Sequence, residues 1–371
     1  MSVRHIRLVI AVSVLGLLGL TACGSTAPSG VASSAPSGGG ASPSNASAGP
    51  STVRLLAHDS FVVTEQLIAD LKAQTGITLE VITGGDAGTM VAGAILAAGS
   101  PTADVIFGID NTLISRAVED DVLEPYAAKD SAAIRPDLQA DTAGGKVTPI
   151  DYGDVCVNID DAWFADKAMT APASLADLAK PEFKDLLVVE DPGTSSPGLA
   201  FLLATIAEYG DAWPDYWASL QANGVKVAAS WTDAYTGQFT AGGGNGPRPL
   251  VVSYATSPPA EIVYAADPKP AKPSTSVMTS GCYRQVEYAG ILKGTTNLAG
   301  AQQVVDWLLS EPVQADVPLS MFVFPAREGT PLPEVFTKFA ADVPAPLQLD
   351  PAVVAANLPA WLATWGEVMG R

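Results

Sequence analysis

Strand-like and helix-like segments alternate along the chain from residue 53, and this alternation limits the fold more than any other feature. Residues 53–57 predict a strand, and residues 64–73 predict a helix because their apolar side chains recur three and four positions apart. Residues 77–82 predict a second strand, and the alternation continues to a terminal helix at about 351–369. Repeated β-α-β units predict an α/β fold with mostly parallel sheets covered by helices.

A second series of strands and helices begins after residue 150, so the pattern predicts two lobes. The first lobe would contain residues 53–150 plus about 289–371, and the second would contain residues 151–288. The chain would cross between the lobes near residues 149–153 and again near residues 284–288. In open α/β sheets, ligands bind beyond the carboxyl ends of the strands. Two sheets that face each other across a cleft therefore predict a binding protein that closes by a hinge motion.

The N-terminus carries the pattern of an export signal. Arg4 and Arg7 precede an apolar run over residues 8–20, which is too short to span a bilayer. Leu20-Thr21-Ala22-Cys23 follows and resembles the lipobox of bacterial lipoproteins. By that resemblance, residues 1–23 are a lipoprotein signal, and Cys23 becomes the lipidated first residue outside the cytoplasmic membrane. The alternative is an ordinary signal peptide with an incidental cysteine.

The segment after Cys23 predicts a flexible stalk. Residues 24–52 are almost wholly Ser, Gly, Ala and Pro, and such a segment buries too little apolar surface to offset the entropy of ordering. The 39 acidic and 20 basic residues give the chain a net charge of −19. This charge argues against nucleic acid or anionic lipid as a partner, so we expect membrane contact only through the anchor. The negative charge is compatible with a cationic ligand. We also expect the protein to be a monomer.

Histidines and cysteines are too few for most enzyme or metal sites. The two histidines are His5, within the signal, and His58, so no His-rich metal site can form. The sequence contains no nucleophile elbow, zinc-protease motif or phosphate-binding P-loop. We therefore expect no enzyme activity, no cofactor and no metal. Cys156 and Cys282 either pair as a disulfide, as is common in exported proteins, or remain two separately buried thiols.

Eight short segments, in order, resemble the thiamine-binding subunits of bacterial ABC importers, within the two-lobed type II periplasmic binding protein fold. They are His58-Asp59-Ser60-Phe61, Gly85-Asp86, residues 103–111, Asp151-Tyr152-Gly153, residues 191–198, Trp231-Thr232-Asp233-Ala234-Tyr235, residues 253–258 and Gln285-Val286-Glu287. The resemblance covers the chain from about residue 53 to its end. It implies a lipid-anchored receptor that captures thiamine, or a thiamine phosphate, and delivers it to an ABC permease.

The resemblance also implies which residues contact the ligand. They are Asp86, Ala87, Ser195, Ser196, Trp231, Tyr254, Ala255, Thr256, Ser257 and Pro258. Trp231 and Tyr254 can stack on the flat rings of thiamine, whose thiazolium is a permanent cation. Asp59 or Asp86 can neutralise that cation. Some relatives have a further aromatic residue after this loop, where this chain has Pro259-Ala260-Glu261.

Several of these residues also have purely structural interpretations. Trp231 can anchor its helix in the core, and Tyr254 can pack at a strand end. Asp86, after two glycines, fits a turn, and Asp59 fits a helix cap. Other ligands remain open as well: a polyamine or other organic cation, or a ferric ion, although the chain has no adjacent tyrosine pair. An extracytoplasmic hydrolase lacks a nucleophile–base arrangement.

Asp151 and Glu287 flank the two predicted crossovers between the lobes. We therefore assign them to ordering the hinge rather than to contacting the ligand.

Overall fold

The computed structural model describes residues 51–141 and 143–371. The predicted signal, Cys23 and the stalk up to residue 50 lie outside the described residues. Among the described helices, none is both long and apolar enough to cross a membrane.

The strands are short except for two in the middle of the sheet. They are β1 Thr52–Ala57, β2 Thr78–Thr83, β3 Val105–Asp110, β4 Leu123–Glu124, β5 Val147–Asp160, β6 Leu187–Glu190, β7 Lys226–Ala228, β8 Leu250–Tyr254, β9 Thr275–Leu292 and β10 Phe324–Pro325.

The α-helices lie mostly between these strands. They are α1 Glu65–Thr75, α2 Ala87–Leu96, α3 Ile114–Glu119, α4 Asp161–Asp166, α5 Leu175–Leu178, α6 Ser196–Tyr209, α7 Trp213–Ala222, α8 Pro259–Val263, α9 Leu298–Leu308, α10 Glu311–Ser320, α11 Glu334–Phe339 and α12 Pro351–Met369. A π-helix spans Asp233–Gln238, where the sequence predicts an α-helix over residues 232–240.

The strands form one ten-stranded sheet rather than the two sheets that the sequence predicts. Its order is β2-β1-β3-β9-β5-β8-β6-β7, with β10 beside β5 and β4 beside β9. The sheet is continuous because β5 and β9, of 14 and 18 residues, pair with each other along most of their length. We call residues 52–124 the first half of the molecule and residues 187–263 the second half.

Parallel pairing holds for the outer strands, and the middle of the sheet is antiparallel. β1 is parallel to β2 and β3, and β6 is parallel to β7 and β8. β9 is antiparallel to β3 and β5, and β5 is antiparallel to β8. Every residue of β3 and β5 is buried, as expected for strands covered on both faces.

Two helix starts differ in how they are capped. Ser174 caps α5 by accepting a hydrogen bond from the Asp177 backbone N–H. Thr64 precedes α1, but its side chain makes no cap and instead donates to Asp316 at 2.6 Å.

The terminal helix α12 spans the predicted residues, yet it does not pack on the first half alone. The ring of Trp365 in α12 meets the ring of Trp217 in α7 edge to face, with centroids 5.6 Å apart. The helix also contacts α3. The C-terminus therefore lies against both halves, whereas the sequence assigns residues 289–371 to the first lobe.

Cys156 of β5 and Cys282 of β9 form a disulfide. Of the two alternatives that the sequence leaves open, the structure has the bridge and not two separate thiols. Both cysteines are buried and pack with Ala255 and Val343. The bridge therefore ties the two long strands together at the second half of the molecule.

Candidate functional site

A cavity of about 350 Å³ lies where the loops after several strands meet. Residues from both halves line it, together with residues of β9 and of the segment after α10. Small-molecule sites in proteins usually have volumes of roughly 300–1,000 Å³, so this cavity can hold a ligand of modest size.

Seven of the eleven residues that the sequence predicts as ligand contacts line this cavity. They are Asp59, Asp86, Ala87, Ser196, Trp231, Tyr254 and Ser257. They come from the loops after β1, β2, β6, β7 and β8. The prediction that loops at strand ends share one site therefore agrees with where these residues lie.

The other four predicted contacts lie behind the cavity wall. Ser195 is buried, and its side chain accepts a hydrogen bond from the Gly198 backbone N–H at the start of α6. Ala255 is buried against the disulfide, and Thr256 is buried beside it in the chain. Pro258 is the N-cap residue of α8. In this structure these four residues do not line the cavity.

The carboxylate of Asp86 joins the two halves of the molecule. It accepts hydrogen bonds from the backbone N–H of Ala87 at 2.6 Å, of Ser196 at 3.3 Å and of Trp231 at 2.8 Å. Ala87 begins α2 in the first half, and Ser196 begins α6 in the second half. Asp86 therefore caps α2, beyond the turn role that the sequence suggests, and bridges the cavity floor.

The two halves approach each other most closely beside this bridge. Thr89 in the first turn of α2 donates its backbone N–H to the Thr194 carbonyl at 3.1 Å. A Cβ atom placed on Gly88 would lie 2.7 Å from the Thr194 carbonyl carbon and oxygen. Only glycine permits this contact, because the colliding atoms are backbone.

Aromatic side chains form much of the cavity wall. The rings of Trp231 and Tyr235 stack with centroids 5.0 Å apart, and both line the cavity. Trp231 donates from Nε1 to Ser253 Oγ at 2.9 Å, and Tyr254 donates its hydroxyl to Gln285 Oε1 at 3.0 Å. Trp231 thus both packs on the core and lines the cavity, and its polar atom is satisfied.

Two further aromatic residues of the wall escape the sequence analysis. Tyr264 follows α8 and is 70% exposed, and Phe322 follows α10. Their rings lie 5.5 Å apart and both line the cavity. Phe322 has a φ of 54°, which is uncommon for a residue with a Cβ and often marks a functional segment. Their separation of 58 positions leaves no local signal for the contact.

His58 and Glu287 also line the cavity, and both side chains are largely buried. His58 Nε2 lies 3.7 Å from Glu287 Oε1, and His58 Nδ1 accepts a hydrogen bond from the Ser60 backbone N–H at 3.2 Å. Burial lowers the pKa of His58, but Glu287, together with the charges of Asp86 and Asp59, raises the pKa overall. The sequence assigns Glu287 to the hinge, whereas the structure places it in the cavity wall.

Glu287 is the middle member of a row of three buried carboxyl groups. Register pairs it with Asp110 of β3 on one side and with Asp151 of β5 on the other. Burial and then the Glu287 charge raise the pKa of Asp110 to about 7 and hold that of Asp151 well above its usual range. Burial would raise the pKa of Glu287 too, but His58 together with a hydrogen bond from Asp151 lowers it overall. The charges of the three carboxyl groups repel one another, so Glu287 ionises at lower pH than Asp110 and Asp151 do.

The charged residues of the cavity wall are acidic apart from His58. Asp59, Asp86 and Glu287 line the cavity, while no Lys or Arg of the described residues does so. The combination of aromatic faces, carboxylates and hydroxyl groups suits a flat organic cation.

Comparisons with known proteins point to one family. Residues 100–346 match the family described as bacterial extracellular solute-binding protein. The thiamine-binding periplasmic protein of Escherichia coli (strain K12) is 30% identical over 269 residues, which cover 72% of this chain and 77% of that protein. The thiamine-binding periplasmic protein of Brucella suis biovar 1 (strain 1330) is 29% identical over 278 residues, covering 74% and 78%.

A solved structure supports the fold. The chain superposes on a periplasmic thiamin binding protein with a TM-score of 0.76 and 24% identity, covering 86% of this chain and 96% of that one. This likeness shows the two-lobed periplasmic binding protein fold that the sequence predicts.

Replacing Asp110 with Asn should flatten the pH dependence of stability. Burial raises the folded pKa of Asp110 from its ordinary value of 3.8 to about 7, so its contribution to stability is full below pH 3.8 and is lost as the pH rises to about 7. The loss should be about 1 kcal/mol per pH unit. Asn keeps the acceptor for Thr112 and Leu113 and removes the charge beside Glu287.

Urea unfolding at pH 5, 6, 7 and 8 measures this effect. We expect the stability advantage of Asp110→Asn over the unmodified protein to grow from pH 5 to pH 7 and to level off towards pH 8. Asp120→Asn, at the exposed end of α3, is the matched control and should leave the profile unchanged. If the free energy of unfolding changed with pH equally in all three proteins, Asp110 would be ionised from pH 5 to pH 8 and the prediction would be wrong.

Proposed function

Because this chain belongs to the bacterial extracellular solute-binding protein family, we propose that it captures thiamine in the cavity described above and delivers it to an ABC permease. Members of this family bind solutes for transport, which confirms the prediction that the chain is not an enzyme. One observation supports the choice of ligand above others: the cavity wall combines stacked aromatic rings with carboxylates and contains no Lys or Arg among the described residues.

Thiamine has the chemistry that such a wall recognises. Its thiazolium ring carries a fixed positive charge, and a desolvated cation near aromatic faces gains about 2 kcal/mol. Trp231, Tyr254 and Tyr264 offer these faces, and Ser196 and Ser257 offer hydroxyl groups for the aminopyrimidine and the hydroxyethyl arm. The relatives named thiamine-binding periplasmic protein support the same ligand.

A thiamine phosphate should bind more weakly than thiamine. A phosphate adds negative charge, and the wall already holds Asp59, Asp86 and Glu287. The backbone N–H groups of Ala87, Ser196 and Trp231, which point towards an anion, are taken by the Asp86 carboxylate. The site therefore favours the unphosphorylated cation.

Capture requires the two halves to meet over the ligand. The Gly88–Thr194 approach and the Asp86 bridge join them on one side of the cavity. Both walls come from a single chain, so we propose that the protein acts as a monomer. Its place is the outer face of the cell membrane, where Cys23 holds it by a lipid near the permease.

Calorimetric titration with thiamine tests the ligand. We expect a Kd below about 1 μM, or about −8 kcal/mol, with weaker binding of thiamine diphosphate, spermidine and Fe³⁺. Trp231→Ala should weaken thiamine binding by more than about 1 kcal/mol because it removes a central aromatic face. Trp361→Ala, in α12 and away from the cavity, is the control. Tighter binding of spermidine or Fe³⁺ than of thiamine would refute the proposal.

Gly88→Ala should weaken thiamine binding about tenfold or more, because overpacking at a close contact costs about 1–3 kcal/mol. Gly93→Ala is a matched control in the same helix, since its Cβ would meet nothing within 4 Å. Both changes favour the helix equally, so the difference isolates closure. Equal affinities of the two variants would mean that the halves need not meet at Gly88.

Cys23→Ser tests the anchor. In cell fractionation we expect the unmodified protein in the membrane fraction and the variant released from it, because a lipid chain adds about 0.8 kcal/mol of membrane affinity per buried CH₂ group. Mass spectrometry of the mature N-terminus should show an acylated Cys23. A released unmodified protein would contradict lipidation and leave ligand binding as a separate question.

A further inference from the structure

A cation in the cavity has three carboxylates to choose from: Asp59, Asp86 and Glu287 all line the wall. The three differ in exposure and in the hydrogen bonds that they already accept. Those differences decide which one can serve as the counter-charge.

The carboxylate of Asp86 is already engaged in hydrogen bonds. It accepts three backbone N–H groups, two of them at the starts of α2 and α6, where the helix dipole adds to the attraction. A ligand that drew this carboxylate away would undo the cap of α2 and the bridge between the halves.

Asp59 is poorly placed to select a cation. Its residue is exposed, and its Oδ1 accepts a hydrogen bond from Ser60 Oγ at 3.3 Å. Water screens an exposed charge, so its pairing with a cation contributes little.

Glu287 differs from both. It is 7% exposed, and its Oε1 lies 3.4 Å from Gln285 Nε2 and 3.7 Å from His58 Nε2. His58 Nδ1 accepts from the Ser60 N–H, which places a proton on the Nε2 that faces Glu287. Asp110 and Asp151 on either side add carboxyl groups and no positive charge.

We infer that Glu287 is the counter-charge for the cationic ring of the ligand, and that it makes the cavity prefer a cation to an uncharged molecule of the same shape. The inference rests on the proposed function, since it deepens the account of the same site. A buried carboxylate gains more from a nearby cation than an exposed or saturated one does.

Gln285 holds this carboxylate within the wall. It accepts from the Tyr254 hydroxyl and donates to both Ser196 Oγ, at 2.9 Å, and Glu287 Oε1. The aromatic face of Tyr254 and the charge of Glu287 are therefore parts of one hydrogen-bonded unit. A ligand ring stacked on that wall would have its charge close to Glu287.

The test compares two ligands across matched variants. The ligands are thiamine and an uncharged analogue in which a neutral thiophene ring replaces the thiazolium. We expect the unmodified protein to bind thiamine at least about tenfold more tightly than the analogue, because close charge pairs couple strongly. In Glu287→Gln this preference should fall to near unity, through weaker thiamine binding and unchanged analogue binding.

Glu119→Gln, exposed in α3 and outside the cavity lining, is the matched control, and it should keep the preference within about threefold because the charge it removes is exposed. A preference that survives in Glu287→Gln, or one that is lost in Glu119→Gln, would overturn the inference. If Glu287→Gln binds neither ligand, Glu287→Asp decides, since it keeps the charge and should keep a preference for thiamine. Failure of the unmodified protein to bind either ligand would instead refute the proposed function.

Discussion

The pairing of β5 with β9 is the constraint on which the rest of the structure depends. Both strands are long, and their register decides which residues of the two strands become neighbours. β9 pairs with β3 of the first half, and β5 pairs with β8 of the second half. Because these two strands connect one half to the other, the halves stay linked and the cavity forms beside the connecting strands. The Cys156–Cys282 bridge and the Asp154–Arg284 ion pair, at 2.6 Å, reinforce that pairing.

The same register concentrates polar groups that a purely structural sheet would avoid. Burying carboxyl groups is costly unless they are neutralised or hydrogen-bonded, and this protein uses both solutions. Burial and the charge of Glu287 raise the pKa of Asp110 and of Asp151, and Asp86 is satisfied by backbone N–H groups. Despite its burial, Glu287 has a lowered pKa because of His58 and Asp151, so it places a negative charge in the aromatic wall of the cavity. That arrangement suits the cationic ligand that we propose.

Much of the fold and part of the site follow from local sequence. The strand–helix order, the terminal helix and the capping of α5 by Ser174 are local properties, so periodicity and capping residues predict them well. The predicted contacts lie in loops after strands, because ligands of open α/β sheets bind beyond the carboxyl ends of the strands. The sequence could not separate Ser196, which lines the cavity, from Ser195, which does not, since adjacent residues of a turn differ only in direction.

The sequence by itself determined the α/β class, the acidic character of the protein and the set of loops that form the site. It did so because helix and strand periods, charge and turn residues are properties of neighbouring positions. Only the tertiary structure decided that the halves share one sheet, that Tyr264 meets Phe322 and that Glu287 faces the cavity between Asp110 and Asp151. These features join positions far apart in the chain, and burial and charge coupling there depend on which strands become neighbours.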